Sequence, residues 1–300
     1  MCRFVLYHGT PTTLASLITE PAHSIIRQSF HAAETEEPLN GDGFGVAWYV
    51  PELSDRPGLF RSVSPAWSNQ NLLDMARVTR SGCVLAHVRA ATSGLVVAEP
   101  NCHPFTSGQY AFMHNGDVAR FHQVKRRILA DLSNDAFEAI KGSTDSEHLF
   151  GVFLDEVRDT DPASAPDRAA VLARALERAI HRVVAIVQEA KAHLPRPPHV
   201  KADEDECYIN CAVSDGACAV ACRFTTDKDE PSSLYVHEAW PAGKGVTSGS
   251  PARATMVASE PLGNDPRWRK VPKNHLVIIR ADHRAEVRPI AWATGMHAAA

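Results

Sequence analysis

Directly behind the initiator methionine stands a cysteine, Cys2, in the opening stretch MCRFVLYHGT. A thiol at a frayed, solvent-washed position is a liability unless it does chemistry. Removal of Met1, expected when the second residue is small, leaves one residue with both a thiol and a free α-amine. The thiolate is the nucleophile. With a pKa of ~7.7–8.0, an α-amine is partly neutral at physiological pH and can act as the base. One residue then supplies nucleophile and general base. Read alone, Cys2 is an accident of a loose terminus or a lipid acceptor, and no polybasic or amphipathic neighbour supports the lipid.

The stretch HVRAATSG…NCHPF…FMHNGD (87–117) holds the parts such a nucleophile needs. Arg89, near a strand end, can grip a substrate carboxylate with two parallel hydrogen bonds. Asn115-Gly116, in a turn, offers a side-chain amide and an unhindered backbone N–H, which suits an oxyanion hole. Asp145, in the first helical turn within GSTDSE, can take an ammonium group. Singly, Arg89 reads as a surface salt bridge and Asp145 as a charge at a helix N-terminus. Together with Cys2 they read as a site.

Three other groupings carry less. Cys207, Cys211, Cys218 and Cys222 have the C-x3-C…C-x3-C spacing of a zinc site. A hairpin turning at Asp215-Gly216 would pair Val213 with Cys218, Cys211 with Val220 and Ile209 with Cys222. All four thiols then share an apolar face with Ile209, Val213 and Val220, where cysteine acts as a small hydrophobe. His87, His103 and His114 lie near strand ends and read as hydrogen-bonded structural histidines rather than a metal trio. Gly41, Gly43 and Gly45 lead into a strand rather than a helix, so they are turn glycines and not a phosphate loop.

These residues need elements to hold them. Short strands are expected at CRFVLYHG, GFGVAWYV (43–50), GCVLAHVRA (82–90) and QYAFMHNG (109–116). Helical spacing marks 68–80 and 119–132. A third helix, 144–157, opens with the capping-box pattern Thr144-x-x-Glu147. A long one, 166–194, starts at a proline suited to a first turn. NCHPF reads as a loop. Strands resume at 207–224 and again in HLVIIRA and AEVRPIAW. The order strands, helices, strands predicts α+β layers, and strands at both ends sharing one core predict a single domain over 1–300.

With 44% hydrophobic and 22% charged residues, the composition is that of a globular protein. A net charge of −4 leaves no electrostatic footprint for nucleic acid. No apolar run approaches the ~20 residues that span a bilayer, and no secretory signal is present. Seven scattered cysteines fit reduced thiols in the cytoplasm.

The chain resembles the class II glutamine amidotransferase domains of the N-terminal-nucleophile hydrolases. The resemblance rests on Cys2 after Met1, NGDGFGVAWY, HVRAATSG, N-x-HPF, HNG and T-D-S-E, in the family's order over roughly residues 2–150. It implies a four-layer αββα sandwich. It makes Cys2 the nucleophile and base, Asn115 and Gly116 the oxyanion hole, Arg89 the α-carboxylate ligand and Asp145 the α-ammonium ligand. Thr92 and the backbone around Gly43 and Phe44 would line the pocket. Cys102 departs from the alanine of many members and puts a second thiol near the site.

A narrower similarity spans nearly the whole chain, through PAHSIIRQSF, RPGLFRSVSPAWSNQNL, NCHPFTSGQYAFMHNGD, GSTDSEHLF and MVASEPL. It is to a fungal group, the amidotransferase-like subunit of the alternative glutathione-degradation complex, which works beside a metallopeptidase-like partner. The γ-glutamyl hydrolases of ergothioneine pathways are a close second. The expected reaction is hydrolysis of a γ-glutamyl amide, glutathione first, with no metal or cofactor. A glutaminase subunit feeding a separate synthase and a non-catalytic scaffold subunit are the alternatives.

Overall fold

The computed structural model describes residues 2–34, 39–90, 96–158, 160, 165–198, 200, 205–240 and 254–293. The chain begins in strand β1 (Arg3–Thr13) and passes through two short helices, α1 (Ala15–Ile18) and α2 (Ile25–Gln28). Strands β2 (Phe44–Trp48) and β3 (Gly58–Ser62) follow, then helix α3 (Gln70–Val78) and strand β4 (Arg80–Val88). Strands β5 (Phe105–Ser107) and β6 (Tyr110–Asp117) lead into the helical middle. That middle comprises α4 (Phe121–Ala130), α5 (Asn134–Ala139), α6 (Asp145–Arg158) and α7 (Arg168–His193). Next come β7 (Tyr208–Ser214), β8 (Ala219–Thr225), β9 (Tyr235–Glu238) and β10 (Ala254–Ala258). Strands β11 (Arg269–Lys270), β12 (His275–Ile279) and β13 (Ala285–Pro289) end the series.

Among the described residues these strands build two antiparallel sheets. One has the order β11-β9-β10-β1-β4-β2-β3, the other β13-β12-β8-β7-β6-β5. Strand β1 lies between β4 and β10, so the beginning and the late part of the chain share one sheet. Phe4, Leu6, Leu85, Met113, Ala212 and Val257 fill the space between the sheets. On the outer side of the first sheet, Leu17, Ile25 and Leu72 of α1 to α3 pack on Val5, Tyr7 and Val84. On the outer side of the second, Leu149, Phe153, Leu176 and Ile180 of α6 and α7 pack on Phe112, Ile209 and Phe224. The layers are therefore helix, sheet, sheet, helix, as the resemblance implied. Strands buried on both faces lose the apolar–polar alternation of a half-exposed strand, so Phe4–Tyr7 of β1 reads as a continuous apolar run. No helix among the described residues is long and apolar enough to cross a membrane.

Two helix starts follow local chemistry. The Glu147 N–H of α6 donates to Thr144 Oγ1 at 3.2 Å. The Glu147 carboxylate does not close the expected box; it accepts from the N–H groups of Lys141 and Gly142 and fastens the preceding loop. Helix α7 is capped by Asp167, whose side chain accepts from Ala170 N–H at 3.0 Å, so the predicted proline start lies just outside the helix.

The β7–β8 hairpin corrects the sequence-based register. Val213 pairs with Val220, Cys211 with Cys222 and Ile209 with Phe224. The loop runs over Asp215–Cys218, because Asp215 Oδ1 accepts from the N–H groups of both Ala217 and Cys218 and widens the turn beyond two residues. A slip of two residues preserves the face. Cys207, Cys211, Cys218 and Cys222 accordingly sit as buried free thiols among Ile209, Val213 and Val220. NCHPF is a loop only to Pro104, since Phe105 opens β5.

Candidate active site

The site forms where three strands of one sheet end opposite one strand of the other. Arg3 pairs with Val88, which places Cys2 beside Arg89 just past the two strand ends. Phe44 also pairs with Val88, on the far side of β4. Arg89 N–H donates to the Gly43 carbonyl at 2.8 Å, and Asp42 N–H donates to the Arg89 carbonyl at 3.0 Å. Cys2, Arg89 and Gly43 thus stand in one row across three chain segments. Side chains alternate along a strand. Cys2 therefore shares the inward face of Phe4 and Leu6, and Arg89 that of Leu85, all three being members of the inter-sheet core.

Strand β6 completes the site from the other sheet. Ala111 and Met113 point inward, so Asn115 does too. Asn115 is 3% exposed, and its Nδ2 has no hydrogen-bond partner. A buried, idle amide donor is costly in a resting protein and is what a developing oxyanion needs. Gly116 follows with φ +148, and a Cβ there would stand 1.9 Å from the Tyr208 carbonyl oxygen. No other residue fits that approach.

Asp145 reaches the same region through a tie between helix and strand. His114 Nδ1 and Ser146 Oγ are 2.8 Å apart, which pins the start of α6 to β6. Asp145 Oδ2 accepts from Val118 N–H at 2.8 Å and Oδ1 from Ser146 N–H at 2.7 Å. Burial raises the Asp145 pKa, and these N–H donors oppose the rise. Its carboxylate is held just past the end of β6, two residues beyond Gly116.

Burial likewise pushes the Cys2 thiol above its ordinary range. Its contact with the Ala90 carbonyl at 3.4 Å and Arg89 act downward, and Asp117 acts upward. A thiol kept protonated at rest requires a base at the moment of attack. The neighbouring histidines do not supply charge. His87 and His103 stack at 4.2 Å, and burial lowers His87 to about 3 and His103 well below its usual value. His114 falls to about 4 for the same reason. His87 Nε2 lies 3.2 Å from the His114 carbonyl, and His114 spends its nitrogens on Ser146 and the Tyr208 carbonyl. Neither nitrogen of His103 has a hydrogen-bond partner, so that ring is not the hydrogen-bonded histidine expected from the sequence. Neutral imidazoles add no positive charge beside Arg89, whose guanidinium reaches the Asp42 carbonyl at 3.4 Å.

The remaining sequence candidates divide. Thr92 lies outside the described residues. Phe44 turns its ring to the outer helix layer, so only its backbone faces the row of site residues. Gly43, at φ +114, adjoins the thiol of Cys102. Cys102 is buried, its pKa is raised by desolvation, and both Arg89 and Cys2 act on it electrostatically. The sequence reading missed Asp117, although it follows HNG directly; it is exposed and acts electrostatically on Cys2. It also missed Arg61, which donates to the Cys102 carbonyl at 3.2 Å, and Asn210, the β7 residue paired with Asn115. Neither of these two carries a local motif.

Comparison with known proteins gives the family and the fold. The sequence profile of the class II glutamine amidotransferases matches residues 16–186. A probable glutamine amidotransferase of Saccharomyces cerevisiae, DUG3, is 38% identical over 93% of this chain and 82% of its own. A gamma-glutamyl-hercynylcysteine sulfoxide hydrolase of Mycolicibacterium smegmatis is 28% identical over 94% of this chain and 97% of its own. Among solved structures, a glutamine aminotransferase class-II domain protein from Silicibacter pomeroyi superimposes with a TM-score of 0.62 at 29% identity, over 96% of this chain and 99% of that one. Glutamine phosphoribosylpyrophosphate amidotransferase of B. subtilis, at 14% identity and TM-score 0.57, shares the fold over 96% of this chain and 49% of its own.

Proposed function

Since the chain belongs to the class II glutamine amidotransferase family, we propose that it hydrolyses γ-glutamyl amides through a thioester on Cys2. The observation that carries this reading is the idle Asn115 Nδ2 on the inward face opposite Cys2 and Arg89. With Met1 removed, the neutral α-amine of Cys2 takes the thiol proton as sulfur attacks the γ-carbonyl carbon. The oxyanion gains hydrogen bonds from Asn115 Nδ2 and the Gly116 N–H. Arg89 holds the α-carboxylate and Asp145 the α-ammonium. Collapse breaks the C–N bond, and the α-ammonium of Cys2 returns its proton to the leaving nitrogen. Water, deprotonated by the same amine, then splits the thioester and releases glutamate.

The glutamyl clamp grips only the α-amine and α-carboxylate, so the leaving group beyond the γ-carbonyl is chosen elsewhere. We assign glutathione as substrate, with cysteinylglycine as the second product. Support comes from the near full-length similarity of motifs to the glutathione-degrading group. The mycobacterial relative's name also couples a γ-glutamyl head to a cysteine-derived leaving group, as glutathione does. Efficient turnover on this reading needs a metallopeptidase-like partner that completes the leaving-group wall, with residues 1–300 acting as one amidotransferase domain in the cytoplasm. That same name favours, as second reading, a leaving group of the hercynylcysteine type. The test is product analysis with glutathione, glutamine and a hercynylcysteine-type amide, with and without the partner. Faster ammonia release from glutamine than glutathione cleavage, partner present, overturns the glutathione assignment. No glutamate from any γ-glutamyl amide overturns the reaction.

A further inference from the structure

Two buried amides meet across the β6–β7 ladder, and each carries one idle atom. Asn115 pairs with Asn210 in register. Asn210 is 1% exposed. Alternation along β7 places its side chain on the inward face of Ala212, as Asn115 lies on that of Met113. Asn210 Nδ2 donates to the carbonyls of Ser232 at 2.9 Å and Ser233 at 3.3 Å. Its Oδ1 has no partner, and neither has Asn115 Nδ2.

The amide of Asn210 has a fixed polarity. Carbonyl oxygens only accept, so the atom facing Ser232 and Ser233 must be the nitrogen. Its oxygen is then the end left for the ladder. There the directly paired residue offers a donor that lacks an acceptor. Cross-strand partners hold their Cβ atoms about 4.5–5.5 Å apart, so a rotation of the Asn115 amide about its terminal torsion, with Asn210 held by its two carbonyl acceptors, is the movement that would bring Nδ2 to Asn210 Oδ1.

We propose that Asn210 is a positioning residue for the oxyanion donor: its Oδ1 accepts one Nδ2 hydrogen of Asn115 and leaves the other aimed at the γ-carbonyl oxygen. The inference rests on the oxyanion role assigned to Asn115 above. An asparagine can present either end of its amide to a site, and the oxygen end would repel an oxyanion. With its nitrogen committed to the Ser232 and Ser233 carbonyls, Asn210 presents only an oxygen to the ladder, which the nitrogen end of Asn115 can meet and its oxygen end cannot. It acts on orientation alone, so no proton moves along it.

A double-mutant cycle tests this, with glutamine and γ-glutamyl-p-nitroanilide as probes. Asn210→Leu, similar in shape, should lower kcat about 3–10-fold, the worth of one neutral hydrogen bond, with KM unchanged within about twofold. In the Asn115→Ala background the same substitution should cost nothing further, because no donor is left to orient. Near-UV circular dichroism checks folding, and Asn210→Ala repeats the cycle if leucine does not fit. Losses that multiply in the double variant, a raised KM with normal kcat, or unchanged kinetics would each overturn the proposal. A wild-type chain that cleaves no γ-glutamyl amide overturns the function and this inference together. A competent wild type with independent losses overturns the inference alone.

Discussion

The Cys102 thiol fills the space that a side chain at position 43 would need: a Cβ built on Gly43 stands 2.5 Å from Cys102 Sγ and 2.9 Å from the Ser62 carbonyl oxygen. Gly43 also holds φ +114 and accepts from Arg89 N–H, so its backbone helps fix the position of Arg89. Gly43→Ala should therefore cost ~1–3 kcal/mol in backbone strain before any clash is counted. A lowered melting temperature with a raised KM is the expected result. Adding Cys102→Ala should recover only part of the loss, because φ and the Ser62 carbonyl remain. Full recovery in the double variant would show that the thiol alone enforces glycine.

Processing and nucleophile can be separated by mass. Wild-type chain beginning at Cys2 should trap a γ-glutamyl adduct when quenched during turnover. A chain that retains Met1 should not, because an acylated amine is no base. Cys2→Ala should remain folded yet form no adduct, since one side chain at the edge of the inter-sheet core contributes little to it. Normal turnover by Cys2→Ala would end the thioester mechanism.

Clamp and oxyanion hole should part company in kinetics. Arg89→Lys replaces a planar fork by a point charge and should mainly raise KM. Asp145→Ala should raise KM too, and it also removes the acceptor that Val118 and Ser146 use. Asn115→Ala should lower kcat by ~10²–10³, the usual effect of deleting an oxyanion donor. An Asn115 variant altered only in KM contradicts the assignment.

Stability should fall on acidification before the carboxylates titrate fully. Burial holds His87 at about 3 and His114 and His8 at about 4, against an ordinary 6.5. Between those values the unfolded chain binds protons that the folded chain refuses. Stability is thus fully present above pH 6.5 and is lost as pH falls towards 4. Each such histidine adds a slope of about 1.4 kcal/mol per pH unit within the window. Urea midpoints measured from pH 7 to 4.5 should show it, and His87→Gln should flatten the slope. An unchanged slope in that variant means His87 is not held neutral.

Much of the candidate site was legible because its chemistry is written locally. Cys2 announces itself by position, and Asn115-Gly116 by side-chain type and by glycine. Thr144 announces the start of α6 through a cap made three residues away. The long period-3.6 pattern gave α7 almost to its ends, and the face shared by the four thiols followed from alternation along β7 and β8.

Tertiary structure decided the rest. The β7–β8 register moved by two residues because Asp215 prefers to bind two N–H groups in its own loop, and a slip of two leaves the hydrophobic pattern unchanged. Strands as short as β5 and β11 carry too few residues for a pattern. Sequence spacing has no measure for how Cys2 and Asn115, at the ends of strands in different sheets, come to face the same inter-sheet core. Arg61 at the Cys102 carbonyl and Asn210 beside Asn115 have no motif at all. By itself the sequence determined which groups the chain owns and which faces must be buried, since side-chain chemistry and periodicity are local. Which of those groups meet was left to the pairing of strands far apart in the chain, where packing of two sheets and two helix layers selects one register among several that bury the same faces.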